Sequence, residues 1–299
     1  MRNTLIILAS LILLCSCEEE LDISLTQKEK KIVINSFFND NELIHVNISA
    51  NQPATDKDTI LFIDNACVLL YANDIFLDTL TFKGEGYYYS DEVIPEAGMS
   101  YNLRVEVPGM TTATTDYSQI PVVVKGFLLD TSSFIDKISD KEIREVILRF
   151  KDIENTTNYY LLHIMWEGTW YEYDADSNIV DTVKRKVSYG GGQGINIPAS
   201  GKFLFTDELF EGDTIEKTLY FRKNLYGSGL EGSENVKAWF KLCTVSEEYY
   251  LYGKSCAEQN NSIDWSIFVE PVTVYSNVNN GVGIFAGYGY CIDSLYYEQ

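Results

Sequence analysis

The stretch MSYNLRVEVPG, at residues 99–109, shows the folding pattern of this chain in its clearest form. Tyr101, Leu103 and Val105 alternate with polar residues, which is typical of a strand with one buried face and one solvent-facing face. The Pro-Gly pair that follows ends the strand, because proline has no amide hydrogen for the sheet ladder. The stretch therefore predicts a half-buried β-strand, and the chain on both sides of it repeats the pattern.

Residues 31–120 consist of short apolar runs separated by turn residues at intervals of about 8 to 12 residues, as in β-sandwiches. Asn39-Asp40-Asn41 separates the runs at 32–38 and 43–49, and Ala72-Asn73-Asp74 separates the next two runs. Asn and Asp tolerate the left-handed geometry of tight hairpin turns. We therefore predict two hairpins here and an N-terminal β-sandwich over residues 31–120.

The rest of the chain, residues 121–299, carries longer elements. Ser139 and Glu142 match a helical capping box, yet the apolar residues that follow them alternate as in a strand. We predict a strand at 145–151, preceded by at most one helical turn. Further strands are predicted at 159–166, 169–173, 180–189, 236–243, 267–275 and 283–292.

One helix is predicted, at residues 245–259. Thr244 and Glu247 match a capping box at its start, and Asn260-Asn261 is expected to end it. Its apolar residues repeat at helical spacing and are expected to pack across a sheet; they are Val245, Tyr249, Tyr252 and Cys256. The predicted fold class is mainly β, with a transthyretin-like or immunoglobulin-like β-sandwich followed by a second β-rich, sandwich-like domain that carries one amphipathic helix.

Residues 1–16 have the features of a secretory signal. Arg2 supplies a positive charge, and Leu5–Leu14 is an apolar run broken only by Ser10. The run has about ten residues, half of the roughly 20 that a membrane-spanning helix needs. We therefore expect this segment to be removed as a signal peptide.

The end of this segment, Leu14-Cys15-Ser16-Cys17, resembles the lipobox of bacterial lipoproteins. The resemblance implies that Cys17 is acylated and that its acyl chains anchor the protein in a lipid bilayer, with residues 17–30 as the tether. An acidic triplet follows directly: Glu18, Glu19 and Glu20. The triplet resembles the surface-export signal of Bacteroidota lipoproteins, which implies an outer-membrane protein that faces the cell surface. The alternatives are a secretory signal with a chance cysteine and a merely solvated charge run.

The composition argues against several functions. Among 299 residues, 44 acidic residues outweigh 23 basic ones and give a net charge of −21. Such a surface repels phosphate backbones, so nucleic acid is not expected as a partner. His45 and His163 are the only histidines, and the HExxH, GxSxG and GxxxxGK[ST] motifs do not occur. We therefore predict a non-enzymatic protein with no catalytic residues, metal or cofactor. A carboxylate-based hydrolase remains the alternative, because acidic pairs cannot be read from spacing.

A short acidic run starts the pattern of a calcium loop. Its oxygen-bearing residues are Asp174, Asp176, Asn178 and Asp181. Ile179 occupies the position where such a loop needs glycine, and Arg185 the position of its glutamate. A hairpin tip is therefore the favoured interpretation, and weak calcium binding stays open.

Four cysteines remain after Cys15 and Cys17 are set aside, and they allow three disulfide pairings. All of them lie in apolar patterns, where a thiol packs as a small hydrophobic group. We therefore expect free, buried thiols at these positions. They are Cys67, Cys243, Cys256 and Cys291.

Trp166, Trp170, Tyr171 and Tyr173 lie within eight residues, in a predicted hairpin where Trp170 faces the side opposite to Tyr171. Tyr and Trp suit both sugar stacking and protein contacts. These four residues are therefore the candidate ligand-contact residues. Packing within and upon the sheet is the alternative interpretation.

The most distinctive stretch is VTVYSNVNNGVGIFAG, at residues 272–287. It resembles the C-terminal signature of a family of uncharacterised Bacteroidota lipoproteins called domain of unknown function 4249. The first region also looks like the transthyretin-like sandwiches of carboxypeptidases and outer-membrane receptors. Other landmarks of the family resemblance cover nearly the whole chain after Cys17: Asn65–Val68, Gly86-Tyr87, Gly98–Tyr101, Phe203–Gly212 and Ser246–Tyr250.

The resemblance implies a surface lipoprotein, often encoded beside a TonB-dependent outer-membrane transporter, with no established catalytic residues. We therefore expect a non-enzymatic accessory or binding partner of such a transporter. The alternative is a stand-alone surface protein that binds glycans or peptides. Gly281, Gly283 and Gly287 are expected to allow positive φ or close strand packing rather than to form a ligand loop. Asn277 and Asn279 are the polar candidates beside them.

Overall fold

The computed structural model describes residues 30–52, 60–138, 140–188, 202–210, 212–222, 233–265 and 272–296. Cys17 and the acidic triplet after it lie outside these ranges. Within the described residues the chain forms eighteen strands and one helix, so the predicted mainly-β fold class is confirmed.

Nine short strands follow one another in the first part of the chain. They are β1 (Ile32–Phe38), β2 (His45–Ala50), β3 (Leu61–Phe62), β4 (Cys67–Ala72), β5 (Ile75–Gly84), β6 (Tyr87–Tyr89), β7 (Ser100–Glu106), β8 (Ala113–Thr115) and β9 (Ser118–Gln119).

The later elements are longer. They are β10 (Leu128–Asp136), β11 (Lys141–Lys151), β12 (Tyr159–Tyr173), β13 (Ile179–Ser188), β14 (Lys202–Thr206), β15 (Thr214–Arg222), β16 (Glu234–Val245), the helix α1 (Glu247–Trp265), β17 (Val278–Asn279) and β18 (Gly281–Tyr296).

The two predicted hairpins of the first part are confirmed. Strand β1 pairs antiparallel with β2, and β4 pairs antiparallel with β5. At the second turn Asn73 and Asp74 have φ values of 48° and 66°, the left-handed geometry that these residue types tolerate. Alternate residues point inward along β1, β2 and β7, so that Ile34, Ile48 and Leu103 are fully buried in one hydrophobic cluster.

The last strand connects this cluster to the rest of the molecule. Strand β18 pairs in parallel with β1, from Ile32 opposite Gly281 to Phe38 opposite Gly287. Farther along, β18 pairs antiparallel with β16. Phe285 therefore belongs to the first hydrophobic cluster, whereas Leu295 packs against the second. The predicted domain boundary at residue 120 stays a prediction, and the C-terminal strand contributes to the cores on both sides of it.

The second cluster lies between two sheets. One consists of β10, β11 and β15, and the other of β13, β12, β16 and the far half of β18. Leu148 and Phe221 from the first sheet pack against Ile164, Trp166 and Phe240 from the other. This arrangement is sandwich-like, as predicted for the second part of the chain, because each sheet buries one face of alternate residues against its partner. We call it the second sandwich, and the strands around the first cluster the first sandwich.

Helix α1 begins two residues later than predicted, at Glu247. Ser246 is its N-cap, with the hydroxyl 3.4 Å from the amide nitrogen of Tyr249, whereas Thr244 is buried in β16. The helix also continues through the Asn pair at 260–261 to Trp265, so the predicted end was wrong. Tyr249 and Tyr250 pack on the sheet, as expected for a helix that crosses it. The described residues include no helix that combines the length and the hydropathy of a membrane span.

The predicted strand at 145–151 is confirmed, because it lies within β11. Glu142 also lies inside β11, so no helical turn precedes the strand among the described residues; Ser139 lies outside them. The strands β10 and β11 instead form a hairpin, with Asp140 at a φ of 52° in its turn. The strand predicted at 267–275 was wrong for residues 272–275, which form no strand; residues 266–271 lie outside the described part.

The four cysteines in the described residues are free, as expected. Cys243 is buried, but Cys67 is exposed, so its predicted burial was wrong. Cys67 stands at the start of β4, where its side chain alternates to the outside with those of Leu69 and Tyr71. Burial raises the pKa of Cys243 to about 12 and that of Cys291 to about 11.

This difference predicts an order of thiol labelling. Only the thiolate is reactive, and a raised pKa reduces its fraction at pH 8. With iodoacetamide at pH 8, we expect Cys67 to be alkylated first and Cys243 to stay unlabelled until the protein unfolds. Mass spectrometry of tryptic peptides over time measures this order. Equal labelling rates for the two cysteines in the folded protein would contradict it.

Candidate functional site

The structure places the four aromatic residues predicted as ligand contacts on two opposite sides of one strand. They lie on one continuous strand, β12, rather than on the two arms of a hairpin. Trp166 is 1% exposed and its ring meets that of Phe221 edge to face at 5.5 Å between centroids. Trp166 is therefore a core residue, and its candidacy as a ligand contact is corrected. Trp170 points to the same side and packs against the same cluster, with the Arg185 guanidinium 5.7 Å from its ring centroid.

The two tyrosines point to the opposite side of the strand, as predicted for Tyr171 relative to Trp170. The Tyr171 hydroxyl accepts a hydrogen bond of 3.0 Å from Asn235. Tyr173 is 53% exposed, and its ring centroid lies 6.4 Å from that of Tyr171. Of the four predicted contact residues, these two remain available to a ligand.

A second group of rings, one exposed and two partly exposed, was not predicted from the sequence. His45 on β2 lies opposite Tyr89 on β6, with the rings stacked at 4.9 Å. The Tyr87 ring is 6.3 Å from that of Tyr89 and is 40% exposed. Tyr88 between them points inward and is fully buried. We call His45, Tyr87 and Tyr89 the aromatic platform; the alternation within the tyrosine triplet is the signal that identifies it.

An open depression of about 760 Å³ adjoins the aromatic platform. Leu43 contributes apolar surface, and Lys83 and Asp91 form an ion pair of 3.0 Å at its rim. The hydrogen bond from Lys83, with a second from Thr81, lowers the pKa of Asp91. The depression therefore combines ring faces with fixed charges, the arrangement that orients a polar ligand on a mostly apolar surface.

A smaller cleft of about 460 Å³ lies where β9, β12 and the start of α1 meet. The Ser118 hydroxyl is 3.1 Å from a Glu248 carboxylate oxygen and accepts a 3.1 Å hydrogen bond from the Gly287 amide. Burial, and next the charge of Glu247, raise the pKa of Tyr159 in the same cleft. Glu248 and Gly287 are both hydrogen-bonded to Ser118, so the polar groups of this cleft hold β9, α1 and β18 together.

The glycines of the distinctive C-terminal stretch have the packing role that the sequence predicts. A β-carbon at Gly281 would lie 2.7 Å from the Ile32 carbonyl oxygen, and Gly283 has a φ of 123°. Asn277 is buried and bonds both the amide and the carbonyl of Phe285, at 3.0 and 2.8 Å. The Asn279 amide group bonds a carboxylate oxygen of Asp116 at 2.7 Å.

The predicted hairpin tip between β12 and β13 is confirmed. A carboxylate oxygen of Asp174 accepts the amide hydrogens of Asp176 and Asn178, at 2.9 and 2.8 Å. These bonds, led by those from Asn178, lower the pKa of Asp174. Within the described ranges, no three His, Cys, Asp or Glu side chains are grouped so that they could hold a metal ion.

Two hydrophobic clusters enclosed by β-sheet faces, with aromatic rings on the outer faces, define this chain as a mainly-β protein. Residues 18–290 match the family model described as Domain of unknown function (DUF4249), and the chain belongs to this family. A search of the curated proteins found no match.

Proposed function

We propose that this protein is a non-enzymatic outer-membrane lipoprotein, exposed at the cell surface, that binds a TonB-dependent transporter as an accessory partner. The location is supported by the lipobox-like end of the signal segment at Cys17 and by the acidic triplet after it. The transporter as a partner follows from what the family resemblance implies.

The aromatic platform is the observation that carries the binding role. Exposed clusters of tyrosine are typical of protein interfaces, because the ring is apolar and the hydroxyl forms hydrogen bonds. No described helix or strand covers the platform, and Tyr87 keeps 40% of its surface exposed. A rigid sheet holds the rings, so that little conformational entropy is lost when a partner binds.

A stand-alone glycan or peptide binder is the second candidate function. The depression of about 760 Å³ beside the platform favours it, since a small ligand can stack on the rings and bond the polar rim. In this case, binding by the purified protein would persist without any transporter.

Co-purification from intact membranes tests the proposal. The tagged full-length chain is cross-linked in cells, extracted in detergent and analysed by mass spectrometry. We expect a β-barrel transporter with the wild type, and at least about a tenfold loss of it with Tyr87→Ala/Tyr89→Ala, as for central interface aromatics. Phe134→Ala removes an aromatic ring that is 45% exposed on β10, away from the platform, and should leave recovery unchanged. Cys17→Ala should move the protein from the membrane fraction to the soluble fraction.

Two results would contradict the proposal. One is the absence of any β-barrel partner with the wild type, and the other is wild-type recovery of the partner with the platform variant. Failure of Cys17 to incorporate labelled palmitate would overturn the membrane location separately. Ligand binding by the purified protein that the platform variant loses would instead favour the second candidate function.

A further inference from the structure

Lysines are concentrated on one face of the second sandwich, on a chain whose net charge is −21. Along β16, alternate residues from Ala238 to Leu242 are buried in the core. The residues between them, Lys237, Trp239 and Lys241, therefore point to the outer side of the sheet. Helix α1 packs on this outer side near Cys243. Lys237, Trp239 and Lys241 lie beyond the part that the helix covers.

The register of the sheet brings two more lysines beside them. Lys202 on β14 lies two strands away from Lys241, and Lys186 on β13 lies two strands away from Lys237. Neighbouring strands are about 4.8 Å apart and rise about 3.3 Å per residue, so the four α-carbons mark a rectangle of about 10 by 13 Å. We call the surface formed by these four lysines and Trp239 the lysine face.

The lysine face is positive in a negative molecule. Within the described residues, the register places one carboxylate inside the rectangle, that of Glu167, 3.8 Å from the Lys186 ammonium. His163 adds no charge at neutral pH, because burial, and then Lys202 and Lys241, lower its pKa. An anion is therefore attracted here and repelled by much of the remaining surface.

Aromatic rings hold the ammonium groups in place. The Lys241 ammonium lies 3.8 Å from the ring centroid of Tyr290. Those of Lys186 and Lys237 lie 4.6 and 5.6 Å from the Trp239 centroid. No described carboxylate is within 4 Å of Lys237 or Lys241. A cation–π contact orients an ammonium group without satisfying all its N–H donors, so donors remain for an anionic ligand.

We propose that the lysine face binds a short acidic oligosaccharide whose sugar units carry carboxylate groups. Such a ligand complements the face in two ways. Its carboxylates accept charge-assisted hydrogen bonds from the lysines, and the C–H groups of its sugar rings contact the parts of Trp239 and Tyr290 that the ammonium groups leave exposed. The rectangle suits a few sugar units, because a longer polyanion would extend over the acidic surface beyond it.

The position of the face favours a ligand from solution over the anionic headgroups of a bilayer. Strand β18 starts at Gly281, opposite Ile32, where the N-terminal tether enters the fold. It ends at Tyr296, opposite Lys237. At about 3.3 Å per residue this strand is about 50 Å long. The lysine face thus lies toward the end of β18 that is remote from Ile32.

Titration calorimetry of the purified chain from residue 18 to the C-terminus, which includes every described element, tests the inference. The probe is a tetramer of galacturonic acid, compared with the uncharged galactose tetramer. We expect binding of the acidic tetramer alone, weakening as salt is added. Lys237→Gln/Lys241→Gln should reduce its affinity at least about tenfold, and Trp239→Leu should also reduce it. Lys217→Gln removes a lysine that lies 4.9 Å from the Phe203 ring, outside the lysine face, and should leave the affinity within about twofold.

The inference does not depend on a transporter partner, so its failure would leave the proposed function intact. Equal binding of the charged and uncharged tetramers would overturn it, as would unchanged affinity in the double variant with an unchanged melting temperature. Pentaglutamate, or vesicles containing phosphatidylglycerol, that bind to the same lysines more tightly than the sugar would show that the ligand class is wrong.

Discussion

Gly283→Ala is expected to lower the free energy of unfolding by about 4 kcal/mol. Gly283 has a φ of 123°, a conformation that L-residues with a β-carbon avoid at a cost of about 1–3 kcal/mol. A β-carbon there would also overlap the carbonyl group of Ile34 in the adjacent parallel strand. Forcing the two strands apart adds about 1–3 kcal/mol, the usual cost of overpacking. Urea denaturation followed by circular dichroism measures the change.

Gly109→Ala is the matched control for this substitution. Gly109 also has a positive φ, of 78°, but no atom lies within 4 Å of the position that its β-carbon would occupy. The control therefore carries the backbone strain without the overlap, and we expect a loss of about 1 kcal/mol. Equal losses at the two positions would show that contact between the first and last strands is not the cause.

The expected loss of stability at Gly283 is large because the paired strands β1 and β18 connect the two hydrophobic clusters. Strand β18 belongs to the first hydrophobic cluster through Phe285 and packs against the second through Leu295. A displacement at Gly283 is therefore transmitted along one strand to both cores. Glycine at this position is required by the approach of a neighbouring backbone rather than by a ligand.

The sequence predicts local strand pairs well and long-range ones poorly. The hairpin at Asn73-Asp74 follows from residues that are adjacent in the chain and tolerate left-handed turns. The parallel pairing of Ile32 with Gly281 joins the two ends of the described chain. No periodicity marks such a pair, because either strand alone has the same alternating pattern as its neighbours.

The two capping boxes show why short helix signals mislead. Ser139 with Glu142 and Thr244 with Glu247 both match the pattern, yet Glu142 is inside β11 and Thr244 is inside β16. Burial of alternate apolar residues such as Val146 outweighs a cap, which contributes about 1 kcal/mol. Tertiary packing therefore decided the structure in both places.

Strand alternation distinguishes the surface residues of the candidate sites from their buried neighbours, and this alternation can be read from the sequence. In VKAWFKL, residues 236–242, every second side chain is buried, and the lysines of the lysine face are among the others. The same rule separates Tyr88 from the aromatic platform. Which strands lie next to β16, and thus that Lys186 and Lys202 join Lys237 and Lys241, depends on the sheet order and could not be predicted from the sequence.

Trp166→Ala is expected to lower the free energy of unfolding by about 4 kcal/mol, within the usual range of 3–5 kcal/mol for removal of a buried large aromatic side chain. The indole is 1% exposed and meets the Phe221 ring edge to face, a geometry that adds about 0.5–1.5 kcal/mol beyond the buried area. The cavity would lie between the two sheets of the second sandwich, where rigid strands limit collapse. Thermal and urea denaturation measure the loss.

Tyr173→Ala tests the same strand from its other side. Its side chain is 53% exposed and its one ring neighbour among the described residues is Tyr171. Substitutions at such positions usually change stability by less than about 0.5 kcal/mol. A large loss at Trp166 with almost none at Tyr173 would establish that β12 has one face for the core and one for the surface. If Trp166→Ala kept full stability, the packing of the second sandwich described above would be wrong, and the tryptophan would again be a candidate for contact with a ligand.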